Sequence, residues 1–489
     1  MIKKGGLVPL AKKKKDKVIV RCVGMSSCDV TGSAYLVEAP TGEKILLDMG
    51  IFQSAKPYED YKINRRKFDF KPSELTAIII SHANADHFAL LPKLFHDGAN
   101  CDIYLSSENL DFMKPMLEDS AKILERDVQA FNRKLKREHN PVYTLEDVNN
   151  TLPHFRGCTK NEVHYISENV WFELIDAGHI FGSCQIILYI KLPSGNIRKL
   201  GYSGDLGNIL FEQPFVSEFI PITKCHMYIG ETTYNDPKRS CKKDQRKKDI
   251  EMIKNVITQT CIDKKGIVLI PTFALQRTET MLYTLWQIFK DDKDFNIPIV
   301  VDSPLAVKLL DCYQNNLQGE WLDKFNEMMS WKNIRIVREV EDSMACVADD
   351  SPKVVCSSSG MLTQGRSILY LKKILPRSNC AILTCGYMAE GGLGWKIKNC
   401  TTQKTITIDQ KAYANRCDIK CLDSFSSHMQ YEQLMNYYVN LANNGCETIW
   451  LVHGDKGKIQ FKEELEKRIS KICKTTKIVA TNRDTVARF

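Results

Sequence analysis

Leu75-Thr76-Ala77-Ile78-Ile79-Ile80-Ser81-His82-Ala83-Asn84-Ala85-Asp86-His87 is an apolar run that empties into two imidazoles and a carboxylate. The run reads as a buried strand, and the polar cluster as the loop at its end. Donors fixed directly after a rigid strand suit metal coordination, because the strand sets where their lone pairs point. Asn84 stands among them with only an amide, an uncharged and weaker donor than imidazole. Phe88 to Phe95 reads as a helix continuing from the loop.

Working outward, the same device recurs. Asp48-Met49-Gly50 closes the strand Lys44 to Asp48, and Asp176-Ala177-Gly178-His179 closes Val170 to Ile175. Ser203-Gly204-Asp205 closes Ile197 to Tyr202, and His453-Gly454 follows Thr448 to Val452. His428 ends the small-residue loop Ser424-Phe425-Ser426-Ser427. Singly, Asp48 reads better as a turn cap and any one histidine better as structural. Recurrence is what points to a site: five of the ten histidines (His82, His87, His179, His428, His453) sit at strand ends or in small-residue loops.

From about Lys238 the texture becomes strands alternating with helices: Gly266 to Ile270, then a helix from Thr278 to Phe289; Ile297 to Val301, then one from Pro304; Pro352 to Cys356, then one after Gly360. That alternation predicts a largely parallel sheet covered by helices. Past Gly394 the pattern returns to strands with Lys404 to Ile408, so the chain leaves its first domain, builds a second and comes back. Leu117, Ala121, Leu124, Val128, Phe131 and Leu135 mark an amphipathic helix, whose basic side (Arg126, Arg133, Lys134, Lys136, Arg137) reads as a solvated face or an RNA-facing stripe.

At 489 residues, two domains with full cores are expected. No apolar stretch approaches the roughly 18 residues that span a bilayer, and the N-terminus carries no signal-peptide pattern, which predicts an intracellular protein without membrane contact. The 18 cysteines are scattered rather than paired as CxxC, so they are expected reduced. Lys plus Arg exceeds Asp plus Glu by 68 − 59 = +9, which favours polyanionic partners without demanding them. The lysines of residues 1–17 read as a flexible basic arm, an RNA contact or a nuclear address.

Together these segments resemble the metallo-β-lactamase fold nucleases of the β-CASP group, which process RNA. The matching stretches, in family order, include Val30-Thr31-Gly32-Ser33 with Asp48, the 82–87 cluster, Asp119-Ser120-Ala121-Lys122, Gly178-His179, Tyr202-Ser203-Gly204-Asp205 and Glu231-Thr232-Thr233-Tyr234. They continue with Pro271-Thr272-Phe273-Ala274, Asp302-Ser303-Pro304-Leu305-Ala306, Ser359-Gly360-Met361-Leu362, the 386–394 glycine-rich stretch and Phe425-Ser426-Ser427-His428. The resemblance implies an α/β fold: a metallo-β-lactamase αββα sandwich (18–212 and 397–489) with an inserted α/β β-CASP domain (213–396). It implies that Asp86, His87 and His453 hold one zinc and that His82 and His179 hold another, with Asp205 bridging. Asp48 would orient the nucleophilic water or a ligand histidine. Glu231 and His428 would form the acid pair, with His428 as general acid to a metal-activated hydroxide. Arg277, Ser303, Ser359 and Gly360 would line the cleft and bind substrate, although helix capping explains each serine equally well. RNA is the implied partner, with a homodimer or an RNA-processing complex as further expectations. The cofactor is one or two Zn2+ ions, with Mn2+ or iron as alternatives, and the compartment is the cytoplasm or, in a eukaryote, the nucleus. Asn84 replaces the family's third histidine, leaving three readings open: a looser first site, a one-metal enzyme, or a non-catalytic RNA-binding or scaffold subunit. Gln430, where relatives carry Asp, and Cys225-His226 have no role that the sequence assigns.

Overall fold

The computed structural model describes residues 17–386, 388, 390–399, 404–472 and 475–489. The basic arm lies outside them except for Lys17, and so do Tyr387 and Ala389 of the glycine-rich stretch.

Ala77–Ile79 is a strand with every side chain buried, as its unbroken apolar run predicts. It lies in the middle of a seven-stranded sheet, parallel to Lys44–Leu47 on one side and to Asp102–Ser106 on the other. A second seven-stranded sheet carries Val170–Asp176, Cys184–Lys191, Ile197–Tyr202, Met227–Glu231 and Thr448–Val452 side by side. Val20, Tyr35, Leu47 and Ile79 from the first sheet meet Phe172, Leu188, Met227 and Trp450 from the second in one apolar layer between them. Helices Tyr431–Asn443 and Lys458–Ser470 cover the outer face of the second sheet. Helix Leu110–Leu135 packs with the apolar face of the first. This is the expected αββα sandwich.

The inserted unit is a six-stranded sheet in which every pairing is parallel. Sheet membership places the crossings differently from the sequence reading. Met227–Glu231 pairs with Ile197–Tyr202 and Thr448–Val452 in the sandwich, so the chain leaves after Glu231 rather than at 213. Thr405–Ile408 does not rejoin the sandwich: it forms a hairpin with Lys411–Ala414, and Asp418–Cys421 then closes the edge of the inserted sheet. The return therefore follows Cys421 rather than 396. A strand's composition does not say which sheet it joins, and that is why the sequence placed this one wrongly.

A second local correction concerns the opening stretch. Asp86 and His87 lie in a short helix, Ala85–Phe88, and a separate helix, Leu91–His96, follows. Pro92 sits in the first turn of the latter, where its missing N–H costs nothing and where it forces a new start.

Candidate active site

Asp48 turns out of its strand in the left-handed region (φ 58°). Its buried carboxylate accepts four hydrogen bonds: from Ser81 N and Oγ, both at 2.7 Å, from the Tyr202 hydroxyl at 2.6 Å and from His87 Nδ1 at 2.6 Å. With its Nδ1 proton held there, His87 turns Nε2 inward. The Ser81 hydroxyl, donating to Asp48, accepts in turn from His82 Nδ1 at 2.9 Å. His453 Nδ1 is held 3.0 Å from Thr233 Oγ1. His87 and His453 thus present Nε2 to one point, and His82 presents its Nε2 to Asp205.

The spacing at that point suits a cation. His87 Nε2 and His453 Nε2 are 3.4 Å apart, His453 Nε2 is 3.2 Å from Asp86 Oδ2, and His87 Nε2 lies 3.3 Å from Asp205 Oδ1 and 3.8 Å from Asp86 Oδ2. Four ligands arranged tetrahedrally at about 2.0–2.1 Å from an ion stand roughly 3.3–3.4 Å from each other. His82 Nε2 and Asp205 Oδ1 are buried without a hydrogen-bond partner, a condition native interiors rarely tolerate unless another group completes them. On the far side of Asp205, His82 Nε2 and His179 Nε2 approach Oδ2 at 3.5 and 3.6 Å. Here the next side chain is Asn84, whose Nδ2 lies 3.3 Å from His179 Nε2. The donor residues therefore fit a metal, tightly on the His87 and His453 side and loosely on the His179 side.

Burial would raise the Asp205 carboxyl, but His453, His87 and His428 hold it well below the usual carboxylate range. Burial would lower His87, but the carboxylates of Asp205 and Asp86 push it well above its ordinary value. His179 is held well below its ordinary value by burial and by His428 beside it.

His428 stands over the cluster with Nε2 4.0 Å from Asp205 Oδ2, and its Nδ1 is 3.1 Å from Glu231 Oε1. Glu231 is fully buried and accepts also from Leu206 N at 2.8 Å and Thr233 N at 3.0 Å, so its position is fixed from three sides. Burial would lower His428; the Glu231 and Asp205 carboxylates outweigh it and raise the imidazole to about 9.

Segment order along the chain gives no hint of these contacts; close backbone packing makes them. A β-carbon on Gly204 would lie 2.6 Å from Ser81 Cβ, and this glycine, at φ 53°, lets Asp205 reach the end of the neighbouring sheet.

Three family models match: the metallo-β-lactamase superfamily over residues 29–167, the β-CASP domain over 278–397, and the Zn-dependent metallo-hydrolase RNA specificity domain over 413–475. The chain belongs to the β-CASP group of the metallo-β-lactamase superfamily. Among similar β-CASP proteins, ribonuclease TTHA0252 of Thermus thermophilus is 29% identical over 445 residues, covering 88% of this chain and 92% of that protein. Transcription termination factor FttA of Methanocaldococcus jannaschii is 27% identical over 450 residues, with 88% of this chain covered but only 66% of FttA. The probable RNase MJ4 of the same organism is 27% identical over 404 residues, covering 80% and 83%.

Against this β-CASP frame the remaining expected residues divide. Arg277 is buried with its Nε unpartnered. Ser303 is fully buried as the N-cap of Pro304–Asn316, accepting from Ala306 N and contacting Ser358 Oγ at 2.7 Å; its hydroxyl is engaged in the fold and does not face the cleft. Ser359 Oγ accepts from Thr363 N at 3.0 Å and Gln364 N at 3.3 Å, organising its own turn. Gly360 lies so close to the Phe273 backbone that a β-carbon would come within 2.9 Å of it. The two unassigned features are structural. Gln430 caps helix Tyr431–Asn443 in a reciprocal box with Gln433, and His226 Nδ1 accepts from Lys199 N at 2.9 Å. The sequence reading assigned no role to Ser81, Tyr202 or Thr233, which orient the histidines. They stand inside quoted motifs, but a hydroxyl has no signature that separates this work from capping.

Proposed function

We propose that this β-CASP chain is a metal-dependent ribonuclease that hydrolyses internal phosphodiester bonds. The observation that carries the reading is the convergence of Asp86, His87, His453 and Asp205 donor atoms at 3.2–3.8 Å beside the His428–Glu231 pair. That two similar proteins are named ribonucleases, and that residues 413–475 match an RNA specificity domain, supports RNA as the substrate.

Asp86, His87 and His453 would hold one zinc, and His82 and His179 a second, with Asp205 between them; manganese or iron are substitutes. A bound divalent ion supplies Lewis acidity towards the phosphate and a nucleophile at neutral pH. The chain's own residues do the rest. Asp48 retains the Nδ1 proton of His87 and so keeps Nε2 available. Glu231 fixes the His428 ring and stabilises its protonated form. As the P–O bond breaks, His428 gives its Nε2 proton to the departing 3′ oxygen and is left neutral, to be reprotonated from solvent. Arg277, with Ser359 and Gly360 in the turn beyond it, grips strand phosphates. Ser303 supports that wall from behind.

Asn84 favours a second reading, a subunit that binds RNA without turning it over, because its amide occupies the lone pair that His179 would offer an ion. One experiment separates the two. Single-stranded RNA is incubated with the protein after chelation and again after zinc or manganese is restored, alongside Asp86→Ala. Cleavage that is lost on chelation, returns with metal and is absent from the variant supports the ribonuclease. RNA binding without cleavage under every metal condition supports the silent subunit.

A further inference from the structure

Two arginines stand near the loop that carries His428, and among the described residues neither forms an ion pair. Arg246, in the first turn of helix Gln245–Ile257, donates from Nη2 to the Ser424 carbonyl at 2.8 Å, and its guanidinium lies 4.3 Å from the Phe425 ring and 4.9 Å from Phe211. Ser424 and Phe425 belong to the loop that ends in His428. Arg277 is only 9% exposed and opens helix Arg277–Phe289 in the inserted domain. The two guanidinium groups are close enough to repel each other. Tyr234, three residues beyond Glu231, lies beside Arg277 and reaches Ser426 and Gln430.

Among the described residues neither arginine forms an ion pair, and the Nε of each is buried with no acceptor. The nearest carboxylates act at longer range or are engaged elsewhere. Asp249 accepts from Gln245, Ser424 N and Ser424 Oγ, and Glu212 is a more distant influence on Arg246. Two like charges, one buried and one half-buried, each with its Nε unfilled, are unfavourable unless an anion joins them. A phosphate does so with the right geometry, since its oxygens match the planar fork of each guanidinium.

We infer that Arg246 and Arg277 together form a phosphate subsite for the leaving strand, one that seats the phosphate upstream of the bond whose 3′ oxygen His428 protonates. The Ser424–His428 loop ties subsite and acid together, so a phosphate held by the arginines positions the departing nucleotide under His428. Phe211 and Phe425 hold Arg246 flat and shield the contact from water, which strengthens it. This rests on the ribonuclease reading above. Arg246 stands among the lysines and arginines of 238–248, to which the sequence reading assigned no role.

The test is kcat/KM on a short single-stranded RNA, measured across salt concentrations, for the wild type, Arg246→Gln and Arg246→Lys. Each protein is also given the RNA with one upstream phosphate replaced by a neutral methylphosphonate, moved position by position. The inference expects Arg246→Gln to lose roughly tenfold or more through KM, with the slope of log kcat/KM against log salt shallower by about 0.7, the share of one single-strand phosphate. Arg246→Lys should recover part of the loss. One methylphosphonate position should cost the wild type as much as the substitution does, and cost Arg246→Gln nothing further. Equal salt slopes, or additive losses at every methylphosphonate position, would overturn the subsite. A lowered melting temperature with unchanged KM and slope would do the same, by assigning Arg246 to holding the loop. If the wild type cleaves no RNA, the parent reading has failed instead.

Discussion

A β-carbon on Gly50 would come within 1.6 Å of the Asp86 carbonyl oxygen, so the chain after Asp48 can pass the donor helix only as glycine. Gly50→Ala should push the Asp86–His87 backbone aside. Metal affinity, followed by titration with a competing chelator, should fall by about 10- to 100-fold, the range seen when a ligand's supports are disturbed, while far-ultraviolet circular dichroism is unchanged. Asn84 makes the complementary case. Asn84→His should add about one equivalent of tightly bound metal over the wild type, measured by elemental analysis after dialysis against a weak chelator. Equal metal content in the two proteins would show that the His82–His179 position needs no third imidazole. Glu279 gives the pH dependence. It is fully buried with neither carboxylate oxygen in a well-formed hydrogen bond, and burial lifts it from 4.5 to about 8. The folded state therefore keeps a proton that the unfolded chain releases above about pH 4.5, so stability falls as pH rises from there to about 8 and levels off beyond. Glu279→Gln should match the wild type near pH 4.5 and exceed it increasingly up to pH 8, by at most about 1.4 kcal/mol per pH unit in denaturant titrations.

The helix Leu110–Leu135 shows what an element discloses in sequence and what it hides. Its apolar stripe was legible from Leu117 onward because positions 117, 121, 124 and 128 all face the core. Leu117 is fully buried, so Leu117→Ala should cost about 2–5 kcal/mol in denaturant unfolding. The helix's start was not legible, because Pro115 lies inside it. Proline there leaves the Asp111 carbonyl without its helical donor, and Cys312 Sγ, from a helix of the inserted domain, approaches it at 3.5 Å. A partner some two hundred residues away thus stabilises what the local sequence argues against. The short helices Ala85–Phe88 and Leu91–His96 carry the same lesson: they are too brief for a periodic signal, and tertiary contacts decide them.

On the scale of the whole molecule, the leave-and-return topology brings residues 48, 82–87, 179, 205, 231, 428 and 453 to the ends of two facing sheets. Strand ends bearing His or Asp were readable because the same placement recurs after several apolar runs and because histidine, at ten residues, is scarce. Sheet membership was not, and the crossings after Glu231 and Cys421 emerged only from pairing. Nor was the domain contact readable in which Gln276 accepts from Phe181 N at 3.1 Å and from the Tyr313 hydroxyl at 2.7 Å while donating to Pro214 O at 2.8 Å. That contact holds Arg277 against the sandwich, and with it the cleft in which acid and donors meet. The most direct measurement of the account is the single-turnover cleavage rate of wild type and His428→Ala on two RNAs, one normal and one with sulfur replacing the 3′ oxygen at the scissile bond. Sulfur leaves without a proton. The variant should lose about 10²- to 10⁴-fold on the oxygen substrate and little on the sulfur one. Equal losses on both, or none on either, would contradict the assignment of His428 as the acid of a phosphodiester hydrolase.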